Sequence, residues 1–255
     1  MQSGQAASGI IAPWYQLGYV IPHLYTDLDG YQFYRVAPEG MMLVTTGLDL
    51  KAYTLAAVEE QLPMLWDRFD LLAKKKVDRI SLSGVPVASA LGRRKMLEIL
   101  AEGKARTGLV CDTDLEAHIA TLQHLGAKRI ALATRWPEAV NGALTRYLAD
   151  AGIEVLACRS QARTLEQNKH ASAAADHELA LQLGRQVLEE APDAQALLMP
   201  GGLWYAIHAV PMLEAQFGKP VLLNILSTTW AALHAAGPRM LHRPDARWGK
   251  VLASL

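Results

Sequence analysis

"ALLMPGGLWYAIHAVP", Ala196–Pro211, reads as a buried strand that runs into a glycine turn and then a helix. Strand, tight turn and helix in that order form the unit of a parallel α/β sheet. "KKVDRISLSG" (Lys75–Gly84) and "GAKRIALATRWP" (Gly126–Pro137) repeat the unit, so the two halves of the chain look alike. Working outward, short β-branched and apolar runs predict strands at Gly9–Ala12, Met42–Thr45, Arg79–Ser83, Arg129–Ala133, Glu154–Ala157, Ala196–Met199 and Val221–Asn224. Longer patterns predict helices at Ala52–Lys74, Ala90–Lys104, Asp114–Leu125, Pro137–Ala151, Asp176–Glu190, Ala206–Phe217 and Thr228–Ala236. Asp112 or Thr113 suits a helix cap, Pro137 a first helical position, and Gly126, Gly152 and Gly218 suit helix stops. Gln161–Ala175, polar and alanine-rich, reads as a long loop. The alternation implies an α/β fold with helices on both faces of parallel sheets.

Composition narrows the function classes. The chain has 255 residues, enough for one large α/β domain or two small ones; 51% are apolar and 20% charged. Lys+Arg and Asp+Glu are 25 each, which argues against a nucleic-acid footprint or a polybasic membrane surface. No apolar run has the length of a membrane span, and "MQSGQAASG" at the start lacks a signal pattern. Cys111 and Cys158 make neither a disulfide framework nor a four-cysteine metal site, so a reducing cytoplasm is the expected location.

In open parallel sheets, ligands bind beyond the carboxyl ends of the strands. That rule singles out Pro13-Trp14-Tyr15, Thr45-Thr46, Gly84-Val85-Pro86, Thr134-Arg135-Trp136, Pro200-Gly201-Gly202 and Ser227-Thr228-Thr229. Gly201 and Gly202 offer two N–H groups at a helix start, either an anion site or a turn that needs glycine for its shape. Thr45, Thr46, Ser83 and Ser89 are candidate hydroxyl donors, Thr46 foremost; capping is the competing reading. Trp14, Trp136, Trp204 and Trp230, with Tyr15 and Tyr205, fall just beyond expected strand ends, as a pocket for an apolar ligand requires. His208 and His170 are candidate proton donors, and Asp112 and Asp114 candidate bases, each against a capping or surface role. Cys111 and Cys158 read as small buried hydrophobes. The histidines match no zinc spacing.

"GIIAPW", "ISLSG", "GAKRIALATRWPEAVN", "ACRS" and "LLMPGGL" together resemble the aspartate/glutamate racemase superfamily, in its arylmalonate decarboxylase and maleate isomerase branch. The likeness runs from Gly9 to about Gly237. It implies two pseudo-symmetric Rossmann-like domains with the site in the cleft between them, and no metal or organic cofactor. The expected division is 1–112 plus 222–255, and 113–221. Typical members carry a cysteine at a strand end in each half, one thiolate taking a proton and the other thiol returning one; the decarboxylases keep only the second. By these motifs Gly84 occupies the first position and Pro200 the second, so both thiols are missing. Val85 and Pro86 stand where hydroxyl residues are usual, and Trp136 stands where the decarboxylase has tyrosine.

The expected activity is a cofactor-independent lyase or isomerase, decarboxylase-like, acting on a small carboxylate with an apolar or aromatic part and not using cysteine. The alternatives are a ligand-binding homologue without turnover, and a hydrolase or hydratase in which Asp112, Asp114 or His208 activates water. The expected catalytic residues are His208 and Asp112. The expected binding residues are Pro13, Trp14, Thr45, Thr46, Gly84, Val85, Trp136, Pro200, Gly201 and Gly202. The expected partner is a small-molecule carboxylate, with neither nucleic acid nor membrane, and with a homo-oligomer left open.

Overall fold

The computed structural model describes residues 13–24, 28–51 and 54–255. Strands β1 (Tyr15–Ile21), β2 (Met41–Gly47), β3 (Arg79–Leu82) and β4 (Val110–Thr113) form one parallel sheet in the order β2-β1-β3-β4. Strands β5 (Arg129–Thr134), β6 (Glu154–Ser160), β7 (Ala196–Leu198) and β8 (Val221–Leu222) form a second in the order β6-β5-β7-β8. The two orders are the same when each strand number is shifted by four. Strands covered on both faces read as continuous apolar runs. Accordingly β5, "RIALAT", is buried from Ile130 onward.

The helices start and stop where local chemistry dictates. Helix α1 is Leu28–Val36 and α2 is Leu55–Lys75, the latter capped by Thr54, whose hydroxyl accepts from the Ala57 N–H. An expected single helix over Ala90–Lys104 is instead two, α3 (Val85–Leu91) and α4 (Arg93–Thr107), broken at Gly92 with φ +77°. Helix α5 (Asp114–His124) is capped by Thr113 through the Glu116 N–H. Pro137 precedes α6 (Glu138–Ala149). The expected loop Gln161–Ala175 contains a short helix, α7 (Leu165–Lys169), with a full capping box from Thr164 and Gln167. Helices α8 (Ala173–Glu190), α9 (Ala209–Phe217), α10 (Asn224–Ala236) and α11 (Lys250–Ala253) follow.

The largest departure from expectation is at the start. The strand expected at Gly9–Ala12 lies outside the described residues, and the first described strand is Tyr15–Ile21. Its carboxyl end is therefore Ile21-Pro22-His23, and Pro13 and Trp14 sit at its amino end, away from the pocket described below. Pro13 is exposed, and the Trp14 indole donates to the Glu39 carbonyl. Helix α1 was also not anticipated.

The two sheets are joined through helices. Helix α10 follows β8 and packs against α5, which follows β4, and against α1. Nearly all of α10 is buried, from Asn224 through Leu233. Its polar residues therefore have to find partners inside the protein.

Asp112, expected as a base, ends β4 in an ion pair with Arg79 on β3. Burial pushes its carboxyl up and the Arg79 guanidinium opposes that. The pair is a structural clasp between neighbouring strands. Arg79→Ala should strand the Asp112 charge and cost about 3 kcal/mol or more of stability. Urea unfolding of the two proteins measures this, and a loss below 1 kcal/mol would contradict the assignment.

Candidate functional site

A pocket opens where the carboxyl ends of β1 and β3 face those of β5 and β7. Its wall comprises Ile21, Pro22 and His23 after β1, Asp29 on α1, Ser83 to Pro86 after β3, Arg135 and Trp136 after β5, Asn168 on α7, and Gly201 to Leu203 after β7. The pocket holds about 30 Å³ of free space, room for a water or two.

Both glycine turns have backbone conformations that demand glycine. Gly84 has φ +112° and Gly201 φ +123°. A Cβ on Gly84 would also press on Val87 and Pro22. Behind the turns lies a buried polar network. Asp114, at the start of α5, accepts from Ser83 Oγ at 2.8 Å, Gly84 N at 3.1 Å, Asn224 Nδ2 at 2.7 Å and Thr228 Oγ1 at 3.0 Å. Asn224 Oδ1 in turn accepts from Gly201 N at 2.9 Å and meets His118 Nε2 at 3.0 Å. His118 Nδ1 lies 2.8 Å from Ser227 Oγ. Burial holds His118 down to about 4, so it is neutral. With Nε2 donating to the Asn224 carbonyl, Nδ1 accepts from Ser227.

These contacts revise the expected anion site. The Gly201 N–H is given to Asn224 and the Gly84 N–H to Asp114, so neither is directed at a ligand. A Cβ on Gly202 would collide with the Asp29 carboxylate. The Gly202 backbone therefore faces a negative group across a gap that only glycine leaves open.

The opposite wall carries a cation. Arg135 Nη1 reaches both Asp176 carboxylate oxygens at 3.1 Å, and Arg163 Nη1 reaches one at 2.9 Å. The Arg135 guanidinium lies over the Trp204 ring, whose indole donates to the Asp176 carbonyl. Trp136 is held through its carbonyl by Asn141 Nδ2 at 2.9 Å and Ser160 Oγ at 2.6 Å. Gln32 on α1 ties the following loop down, accepting from Ala206 N and Ile207 N and donating to the Trp204 carbonyl.

Of the residues expected at the site, Gly84, Val85, Trp136, Gly201 and Gly202 line the pocket, and Pro200 is buried beside it. The others do not. Thr45 and Thr46 lie in the edge strand β2, paired with Tyr19 and Val20. His208 precedes α9 and packs against Tyr205 and Trp248. Asp112 is occupied by Arg79. His170 is exposed and pairs with Glu166. Of the four tryptophans, only Trp136 lines the pocket; Trp204 lies behind Arg135, and Trp230 stacks on His234. Neither cysteine lines it: Cys111 is half-buried, and Cys158 is exposed on β6 rather than buried as expected. Among the described residues no cluster of three or more His, Cys, Asp or Glu is placed to hold a metal ion. No described helix is long and apolar enough to cross a membrane. Sequence reasoning missed His23, Asp29 and Asn168 at the pocket; the strand that starts "YQLGYVIPH" points to His23.

Two like-ordered parallel sheets, with a pocket between their strand ends walled by glycine turns, define a two-sheet α/β class. The chain belongs to the arylmalonate decarboxylase family, whose model matches residues 27–247. It is 28% identical over 216 residues to the arylmalonate decarboxylase of Bordetella bronchiseptica, covering 85% of this chain and 87% of that one. A solved double mutant of arylmalonate decarboxylase in the liganded form has a TM-score of 0.82 at 24% identity, covering 93% of this chain and 98% of that one. A maleate isomerase from Pseudomonas putida S16 with maleate has a TM-score of 0.79 at 20% identity, covering 94% and 98%.

Burial pushes the Asp114 carboxyl up to about 6, outweighing its donors Ser83, Gly84 and Thr228; Asp112 adds to the rise. A raised carboxyl favours the folded state at low pH, where it is protonated in both states. That contribution is lost as pH rises from about 4 to about 6, by about 3 kcal/mol. Asp114→Asn should flatten this part of the pH–stability curve; an unchanged slope would mean that another group titrates there. Separately, Gly202→Ala should force the Asp29 carboxylate off the pocket wall, which a crystal structure of the variant would display.

Proposed function

We propose that the chain is a lyase or isomerase acting on a small carboxylate with an apolar or aromatic part, without metal, organic cofactor or cysteine thiol. The observation that carries this is the meeting, at one pocket, of the two family turn positions with a fixed cation and an apolar wall. Pro22, Val85, Pro86, Trp136 and Leu203 supply the apolar side. Arg135, held by Asp176, supplies a charge whose direction is set before a ligand arrives. The named relatives are a decarboxylase of malonates and an isomerase of maleate, both small carboxylates.

For decarboxylation the steps are these. Arg135 holds one carboxylate. The other lies against the apolar wall, where its charge is poorly solvated. The carbon–carbon bond breaks, carbon dioxide leaves, and the electron pair remains as an enediolate. Pro86 and Pro200 have no N–H, and those of Gly84 and Gly201 are engaged, so the charge on the enediolate falls to Arg135. A proton then reaches the α-carbon. A second reading, a carboxylate-binding protein without turnover, is favoured by those same engaged N–H groups.

Phenylmalonate and its α-methyl derivative distinguish the readings. Carbon dioxide release is expected, and the Cys111→Ala, Cys158→Ala double variant should retain it within about twofold. A loss of orders of magnitude with the fold intact would overturn thiol-free chemistry. Saturable calorimetric binding with no carbon dioxide release would establish the second reading. Pro200→Cys should raise the rate, because a thiol is a better proton donor than the imino-acid ring it replaces.

A further inference from the structure

With no thiol at either turn, the candidate proton donors are the other groups of the pocket wall. Ser83 follows β3 immediately before Gly84 and lines the pocket. Its hydroxyl donates to Asp114 Oδ2 at 2.8 Å and accepts from the Tyr19 hydroxyl at 2.9 Å. Tyr19 and Asp114 are buried. Ser83 is thus the hydroxyl through which a buried carboxyl reaches the pocket.

We propose that Ser83 delivers the proton to the substrate's α-carbon, and that Asp114 behind it supplies that proton. The inference rests on the thiol-free carboxylate chemistry proposed above and deepens it.

The hydrogen-bond geometry supports such a relay in both states. When Asp114 is a carboxylate, it accepts from Ser83, Gly84, Asn224 and Thr228. When it is protonated, its O–H donates to Ser83 Oγ and the 2.8 Å bond reverses. Tyr19 lies 2.9 Å from Ser83 Oγ and 3.4 Å from Asp114 Oδ1; while it donates to the nearer oxygen, Ser83 Oγ accepts two hydrogens and its own is free to turn toward the pocket. After carbon dioxide departs, the α-carbon electron pair takes the Ser83 hydrogen as Oγ takes the Asp114 proton. Asp114 is left as a carboxylate with its donors already in place. Water restores its proton after the product leaves. One proton is consumed for each carbon dioxide released, and no other reactant is required.

The surrounding groups raise the proton affinity of Asp114 toward neutral pH. Burial is the main cause of a carboxyl titrating at about 6, and Asp112 on β4, paired with Arg79, adds to it. Tyr19 on β1 is pushed well above its usual range and stays protonated. His118, on the same helix as Asp114, is neutral and reaches it only through Asn224. Asn224 and Thr228 on α10 do not titrate. A carboxyl of this kind in a functional pocket has the proton affinity of a general acid at neutral pH.

The test measures kcat and KM for phenylmalonate from pH 5 to 8, with Ser83→Ala, Ser83→Cys and Asp114→Asn beside the parent. The parent kcat should fall as pH rises through about 6. Ser83→Ala should lower kcat about 100-fold with KM changed less than about threefold. Ser83→Cys should recover at least about tenfold of that loss, and Asp114→Asn should remove the fall above pH 6. Ser83→Ala deletes a single oxygen, so it still decides the matter if Asp114→Asn does not fold. Parent-like kcat in Ser83→Ala would overturn the relay and leave the proposed function standing. A parent that binds phenylmalonate without releasing carbon dioxide would overturn both.

Discussion

Asp114 and Asn224 hold the two glycine turns in one hydrogen-bonded chain. Gly84 N–H is bound by Asp114, Asp114 by the Asn224 amide, and Gly201 N–H by the Asn224 carbonyl. The turns belong to different sheets, and this chain sets how far apart they stand. It lies in the interior, where a broken link would leave a donor or acceptor unsatisfied at a cost of about 1–3 kcal/mol. The two helices that supply Asp114 and Asn224 are one of the helix pairs through which the sheets are joined. Pocket width and sheet packing thus follow from one set of contacts.

The same network decides what the pocket can offer a ligand. Backbone N–H groups that a glycine turn would otherwise present are spent on Asp114 and Asn224. The charged groups on the pocket wall are side chains. Arg135 is oriented by Asp176, which also binds Arg163 and the Tyr205 N–H. Asp29 stands against Gly202, and Gln32 one turn further along α1 holds the loop that follows. Helix α1 thereby carries the first half of the chain onto the turn of the second.

Much of the fold was legible because a strand buried on both faces writes itself as an unbroken apolar run, as in "RIALAT" and "ALLM". Helix stops at Gly126, Gly152 and Gly218 were legible because each adopts a positive φ. The strand Tyr15–Ile21 was not expected because "YQLGYVIP" carries Gln16 and Gly18 in its first half, and what marks it as a strand is its pairing with β2 and β3. Helix α1 escaped notice because its buried face includes Asp29 and Gln32, which weaken the apolar period. The aromatic residues were over-read: a tryptophan near a strand end can turn toward the core, as Trp204 does.

The sequence by itself determined the α/β class, the repeated strand–turn–helix unit, the family resemblance and the loss of both thiols, since each depends only on local order and residue identity. Tertiary structure alone decided which polar residues meet. Asp112 and Asp114 are two positions apart and look alike in the sequence. Strand pairing gives the first to Arg79, whereas the helix start carries the second under Ser83 and Gly84. Partners so distant along the chain, such as Asp114 and Asn224, are brought together by the burial of α10, and no local pattern encodes their contact.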